Sequence, residues 1–231
     1  MLEIKTITAA LPLGLGNVNC YLIHTETGYV LIDTGSSNQR DALEKELLDA
    51  GCQPGTLKLI VLTHGDFDHT GNAAYLREKF NVPLAMHPDD FAMIEHGDMF
   101  ASRGNGNIVL KKLAPVMFKF GKSNRATPDL KLTEEFDLAA YGLDARVISL
   151  LGHSRGSIGI LTSTGDLFVG DLLENTKQPA LNSIMDDRTA AQASVEKLKG
   201  FNVRTVYPGH GAPFTMEQLK SSMLTTSSLT A

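Results

Sequence analysis

Thr63-His64-Gly65-Asp66-Phe67-Asp68-His69-Thr70-Gly71 follows the apolar run 57–62 and opens the stretch 70–80, where Ala73, Ala74, Leu76 and Phe80 share one side. A short apolar run bounded by turn residues reads as a strand, and the spacing after it reads as an amphipathic helix. Four potential metal ligands, His64, Asp66, Asp68 and His69, therefore crowd a strand-to-helix junction. In an extended segment His64, Asp66 and Asp68 alternate and point the same way, with His69 turning at the helix entrance. A polar loop with a capping Asp is the plainer reading. Clustered His and Asp is, however, how divalent-ion sites are built.

Working outward, the same pattern recurs. Residues 20–23, 29–32, 82–86, 147–151, 158–161, 167–169 and 203–207 read as strands, and 38–50, 189–199 and 215–224 as helices, leaving 225–231 as a small, polar tail that frays. His153 closes the run 147–152, Asp171 closes 167–170 and His210 closes 206–209. Loops that follow strands are where α/β architectures gather functional groups, so His64, Asp66, Asp68, His69, His153, Asp171 and His210 are candidates for one metal site. His24 and His96 have no such company and read as solvated or core histidines. His87, before Pro88, reads as a helix-entrance residue. There is also an internal echo. Residues 30–33 and 168–171 are apolar runs closed by Asp, while 59–64 and 205–210 are runs closed by His. That pattern suits two similar halves packed sheet to sheet.

Composition narrows the function classes. The chain has 231 residues, 42% of them hydrophobic, with 21 Lys+Arg against 26 Asp+Glu, a net charge of −5. Such a chain folds around a substantial core, and one domain spanning 1–231 is the economical expectation. The acidic balance argues against nucleic acid as partner. No apolar run approaches the ~18 residues of a membrane span. The first residues lack the basic and apolar regions of a signal peptide, so a cytoplasmic location is expected. Cys20 and Cys52 are too few for a disulfide framework and read as buried thiols. Residues 101–125 carry Arg103, Lys111, Lys112, Lys119, Lys122 and Arg125 and no acid. That fits a lid attracting an anionic small molecule or, more plainly, a solvated helical face with methionines as core filler.

With these residues in place, the chain resembles the metallo-β-lactamase superfamily, and within it the hydroxyacylglutathione-hydrolase-like members. The family's His-x-His-x-Asp-His, Gly-His-[Ser/Thr], strand-terminal Asp and late Gly-His are matched here by His64-Gly65-Asp66-Phe67-Asp68-His69, Gly152-His153-Ser154, Gly170-Asp171 and Gly209-His210. Asn19-Cys20-Tyr21-Leu22-Ile23 and Leu31-Ile32-Asp33-Thr34-Gly35 resemble its opening strands. The resemblance implies an α/β fold, a four-layer αββα sandwich with a dinuclear metal centre at one edge. One ion would be held by His64, residue 66 and His153, the other by Asp68, His69 and His210. Asp171 would bridge them, and Asp68 and Asp171 would be the catalytic carboxylates. Asp33 would orient a ligand from behind, although a turn cap is an equal reading.

The chain departs from the pattern at Asp66, where the family has His. A third carboxylate makes the centre one charge less positive and moves preference from zinc toward iron or manganese. Flavodiiron proteins, another branch, also carry a carboxylate at this position. The expected function is a hydrolase with two divalent ions, zinc or iron, and a bridging hydroxide, acting on a thioester, lactone or similar activated carbonyl. A non-haem diiron oxidoreductase without an FMN domain and a metal- or ligand-binding sensor are the alternatives. Ser154 lacks a Gly-x-Ser-x-Gly context and reads as a hydrogen-bonding residue. Arg155 reads evenly as an anion contact or a surface arginine.

Overall fold

The computed structural model describes residues 2–103 and 108–229. In chain order the elements are β1 (Glu3–Ala10), β2 (Asn17–Thr25), β3 (Gly28–Ile32), α1 (Arg40–Asp49), β4 (Leu57–Val61), α2 (Phe67–Thr70), α3 (Ala73–Phe80), β5 (Leu84–Met86), α4 (Phe91–His96), α5 (Ile108–Met117), β6 (Leu130–Lys131), β7 (Ala145–Ser149), β8 (Ile158–Thr162), β9 (Asp166–Asn175), β10 (Ala180–Leu181), α6 (Arg188–Leu198), β11 (Thr205–Gly211) and α7 (Met216–Leu229). One sheet has the order β1-β2-β3-β4-β5-β6; the other runs β10-β9-β8-β7, with β11 added on β9.

Strand alternation sorts the core into three layers. Val30 and Ile32 of β3 pack with Leu59 and Val61 of β4 against Val147, Ile160 and Phe168 of the second sheet. Leu31 and Ile60, pointing the other way, meet Leu43, Leu47, Leu76 and Phe80 of the helices. Behind the second sheet, Ile148, Leu161 and Val169 meet Ala191, Val195 and Leu198 of α6. Helices, sheet, sheet and helices are the four layers of the expected αββα sandwich.

The echo between the halves has a topological counterpart. β2 pairs antiparallel with β3, which pairs parallel with β4. β8 pairs antiparallel with β9, which pairs parallel with β11. Asp33 directly follows β3 and Asp171 lies within β9, one strand of each parallel pair, while His64 follows β4 and His210 lies within β11, the other strand.

Four local readings need correction. β1 pairs with β2 from Glu3 to Ala10, yet among its residues only Ile7 is buried, so it has no apolar run to betray it. β11 extends through Pro208 to Gly211, placing His210 inside a strand rather than beyond one. Residues 64–66 are irregular and Phe67–Thr70 forms its own short helix, so Asp68 does not alternate with His64 and Asp66 on an extended strand. α7 continues to Leu229, through most of the tail expected to fray; residues 230–231 lie outside the described residues. Residues 104–107 of the basic segment also lie outside them.

Candidate metal centre

The backbone brings the motif to the seam between the sheets. Ile158 N–H donates to the Thr63 carbonyl at 3.0 Å, tying the end of the first sheet to the start of β8. Asp66 precedes α2, and its carbonyl accepts from the N–H groups of His69 and Thr70 at 3.0 Å each. On the far side, Asn19 and Tyr21 of β2 both donate to the Pro208 carbonyl, holding β11 and His210 against the first sheet.

Four histidines are oriented by one device. His69 Nδ1–H donates to Asp33 Oδ2 at 2.9 Å, His153 Nδ1–H to the Ile184 carbonyl at 2.8 Å and His210 Nδ1–H to the Asn17 carbonyl at 2.7 Å. The Thr63 hydroxyl donates to Asp33 Oδ2, so its oxygen accepts from His64 Nδ1–H at 3.0 Å. With every Nδ1 placed on an oxygen acceptor, each imidazole turns its Nε2 toward the shared interior. Asp33 therefore supports two of these rings, one directly and one through Thr63, and its Oδ1 also accepts the Thr63 N–H at 2.8 Å.

The side chains converge. Potential ligand atoms of His64, Asp66 and His153 lie within 4.8 Å of one another, as do those of Asp68, His69 and His210, and those of His64, His69 and Asp171. Asp171 spans the two halves: Oδ1 is 3.3 Å from His69 Nε2, and Oδ2 is 3.1 Å from His210 Nε2 and 4.0 Å from His153 Nε2. Among the described residues, buried atoms without a hydrogen-bond partner include His64 Nε2, His69 Nε2 and Asp171 Oδ1, while Asp66 Oδ1 is ion-paired with Arg103. Unsatisfied buried polar atoms are costly, and three of them aimed into one space fit a divalent cation. The mixed imidazole and carboxylate donors suit zinc, iron or manganese.

Electrostatics differ across the centre. Burial pushes His64 well below its ordinary pKa, with His69 and His153 adding to the effect. Burial works against charge on His210 too, but Asp171 outweighs it and holds the imidazole up at about 9. Burial opposes ionisation of Asp66, yet the Arg103 guanidinium and the His153 hydrogen bond together hold its carboxyl well below the usual range.

Two functional neighbours escape a reading of the sequence. Arg103 is one of six bases in the acid-free segment, but it is not part of a solvated face. Its side chain is 9% exposed, and Nη1 is 2.7 Å from Asp66 Oδ1. Asp90 is fully buried; its carboxylate accepts from Gly65 N–H at 3.1 Å, Gly156 N–H at 3.0 Å and Ser154 Oγ–H at 2.6 Å. It thereby clamps the loop of His64 and Asp66 to the loop of His153. Gly156 permits this closure, since a Cβ there would lie 2.6 Å from Asp90 Cγ.

The remaining candidates fall into place. Ser154 spends its hydroxyl on Asp90, and His87 caps the turn after it by accepting from Asp89 N–H at 3.3 Å. Arg155 is exposed and lines a cleft with Arg103 and Asp186. His24 pairs with Glu3 on the surface.

Comparison with known proteins follows the same line. Residues 13–210 match the model of the Metallo-beta-lactamase superfamily. The chain is 32% identical over 206 residues to "Probable metallo-hydrolase MJ0888" of Methanocaldococcus jannaschii, covering 84% of this chain and 87% of that protein. It is 27% identical over 168 residues to Hydroxyacylglutathione hydrolase GloC of Haemophilus influenzae, covering 71% and 70%. The crystal structure of TTHA1623 in a di-iron-bound form superposes with a TM-score of 0.69 at 28% identity, covering 92% of this chain and 96% of that one.

Proposed function

From the premise that this chain belongs to the metallo-beta-lactamase superfamily, we propose that it is a metal-dependent hydrolase of a thioester, lactone or similarly activated carbonyl. The observation that carries this reading is the gathering of four imidazoles and three carboxylates into overlapping donor groups at one edge of the sheets. His64, Asp66 and His153 form one donor set; Asp68, His69 and His210 form the other; Asp171 joins them. Divalent cations held there would supply an acidic water and polarise a carbonyl at neutral pH.

The chain's own residues do the positioning. Asp33, Thr63, Ile184 and Asn17 fix the four imidazoles, as described above. Asp68 and Asp171 are the carboxylates assigned to catalysis. Asp171 keeps the two donor sets in register, and Asp68 Oδ2, 3.5 Å from His210 Nε2, is the oxygen available to take a proton. Ser154 is not assigned as the nucleophile, because its hydroxyl donates to Asp90 and lies against Ser157 Oγ, with no imidazole hydrogen-bonded to it among the described residues.

The names of the M. jannaschii and H. influenzae relatives support hydrolysis, and the second supports a thioester in particular. The di-iron form of TTHA1623 supports iron as an occupant and keeps a non-haem diiron oxidoreductase as the second reading. Among the described residues no helix is long and apolar enough to cross a membrane. The test is to purify the protein without added metal, quantify bound ions, and measure oxygen uptake and hydrolysis of thioesters and lactones. Asp171→Ala is expected to lose metal and turnover together, while Ser154→Ala keeps substantial activity. Undiminished hydrolysis by metal-stripped protein, or an acyl group trapped on Ser154, would overturn the proposal.

A further inference from the structure

The Arg103 guanidinium occupies the mouth of one donor set and leaves the other alone. Its Nη1 is 2.7 Å from Asp66 Oδ1, and its Nη2 is 3.3 Å from Asp66 Oδ2. The same Nη2 is 3.2 Å from His153 Nε2 and 3.4 Å from the His153 carbonyl. His153 Nδ1–H is committed to Ile184, so Nε2, which lies 3.1 Å from Asp66 Oδ2 and is crowded by Arg103 Nη2, is the atom a cation would need. From behind, Asp186 Oδ2 holds Arg103 Nε at 3.0 Å, and the Met99 carbonyl accepts from Nη1 at 3.4 Å. No such contact reaches Asp68, His69 or His210 from a basic side chain among the described residues.

We propose that Arg103 is a built-in competitor for one of the two cation positions, making the His64–Asp66–His153 set load far more weakly than the Asp68–His69–His210 set. The inference rests on the metal-centre reading of the preceding subsection. The physical reason is the position of Asp66. A third carboxylate gives this half of the centre an excess of negative charge, and a nearly buried guanidinium neutralises it through two oxygens at once. A divalent ion entering that half must displace an arginine paired with Asp66 and anchored on Asp186, and must leave the arginine another home. The opposite half imposes no such displacement. Asp66 and Arg103 thus act as a unit, and the change from His to Asp at residue 66 has its counterpart 37 residues away.

The experiment is titration of metal-free protein with zinc or manganese alone, followed by calorimetry and native mass spectrometry, with no substrate present. Wild type is expected to bind one ion tightly and a second about 100- to 1,000-fold more weakly, the scale of breaking a buried charge pair. Arg103→Met should bring the two affinities within about tenfold by freeing Asp66 for the ion. His153→Ala should remove only the weak event, and His210→Ala the tight one. Asp186→Asn, which touches no donor, should strengthen the weak event in the same direction and serves if Arg103→Met does not fold. Two equally tight ions in wild type, or an unchanged gap in both Arg103→Met and Asp186→Asn, would overturn the inference while leaving the metallo-hydrolase reading intact. Absence of any tight ion in wild type and variants would overturn that reading itself, and this inference with it.

Discussion

Asp90→Asn isolates the clamp beneath the centre. The carboxylate accepts three hydrogen bonds: Oδ2 from Gly65 N–H and Ser154 Oγ–H, Oδ1 from Gly156 N–H. An asparagine amide must place its NH2 at one of these oxygens. At the Oδ1 position it confronts Gly156 N–H, and at the Oδ2 position it confronts Gly65 N–H; the Ser154 hydroxyl alone can turn to accept. Either way one buried backbone donor is orphaned, at about 1–3 kcal/mol. Part of this is offset, because burial already pushes the Asp90 carboxyl up from its ordinary pKa and the neutral amide is cheaper to bury. A net loss of about 2 kcal/mol in a chain of this size lowers the melting temperature by roughly 4–8 °C. Because the clamp sets the spacing between His64 and His153, affinity for the weaker ion should fall about 10- to 100-fold, as for outer supports of metal ligands generally. Calorimetric melting of the metal-free protein and a zinc titration measure the two effects. An Asp90→Asn protein that melts with wild type and binds both ions as wild type does would refute the clamp.

Gly209→Ala should retain the far-ultraviolet dichroism of wild type but lose metal affinity by at least about tenfold, read by equilibrium dialysis, because its Cβ would overlap Asp171 Oδ1 and sit 2.7 Å from His69 Cε1. Gly121→Ala, with Asn124 Oδ1 3.9 Å from the new Cβ, is the matched control and should bind normally. Both thiols should be silent toward an aromatic disulfide reagent at pH 8 until the chain is unfolded. Burial pushes Cys52 up to about 11 despite a hydrogen bond involving Thr56, and burial with the charges of Asp33 and Asp68 raises Cys20 well above its ordinary value. Colour development in the native protein would contradict the placement of either thiol.

The candidate donors were legible because each one lies in a short segment that follows an apolar run of strand length. The same locality explains the misreadings. β1 contributes little to the core, so its alternation carries no hydrophobic mark. Asp68 looked extended because period-two spacing is compatible with several backbones, and only hydrogen bonds from His69 and Thr70 to the Asp66 carbonyl reveal a helical turn. Asp90, beside Asp89 after Pro88, carries no local mark of its role. Its partners Gly65 and Gly156 are 25 and 66 residues distant, beyond the reach of any pattern.

The layered sandwich was implied by the family resemblance; hydrophobic periodicity and the order of His and Asp determined, from the chain alone, the strands and helices and the seven candidate donors. Both are properties of neighbours in sequence, written at intervals of two to four residues. Which charges offset which was decided only by tertiary structure. Arg103 is indistinguishable in the sequence from Lys112 or Lys119, yet folding sets it between Asp66 and Asp186, 37 and 83 residues away. Charge compensation acts through space at a few ångströms and carries no periodic trace along the chain, so the electrostatic character of the centre emerges only when the two sheets close upon it.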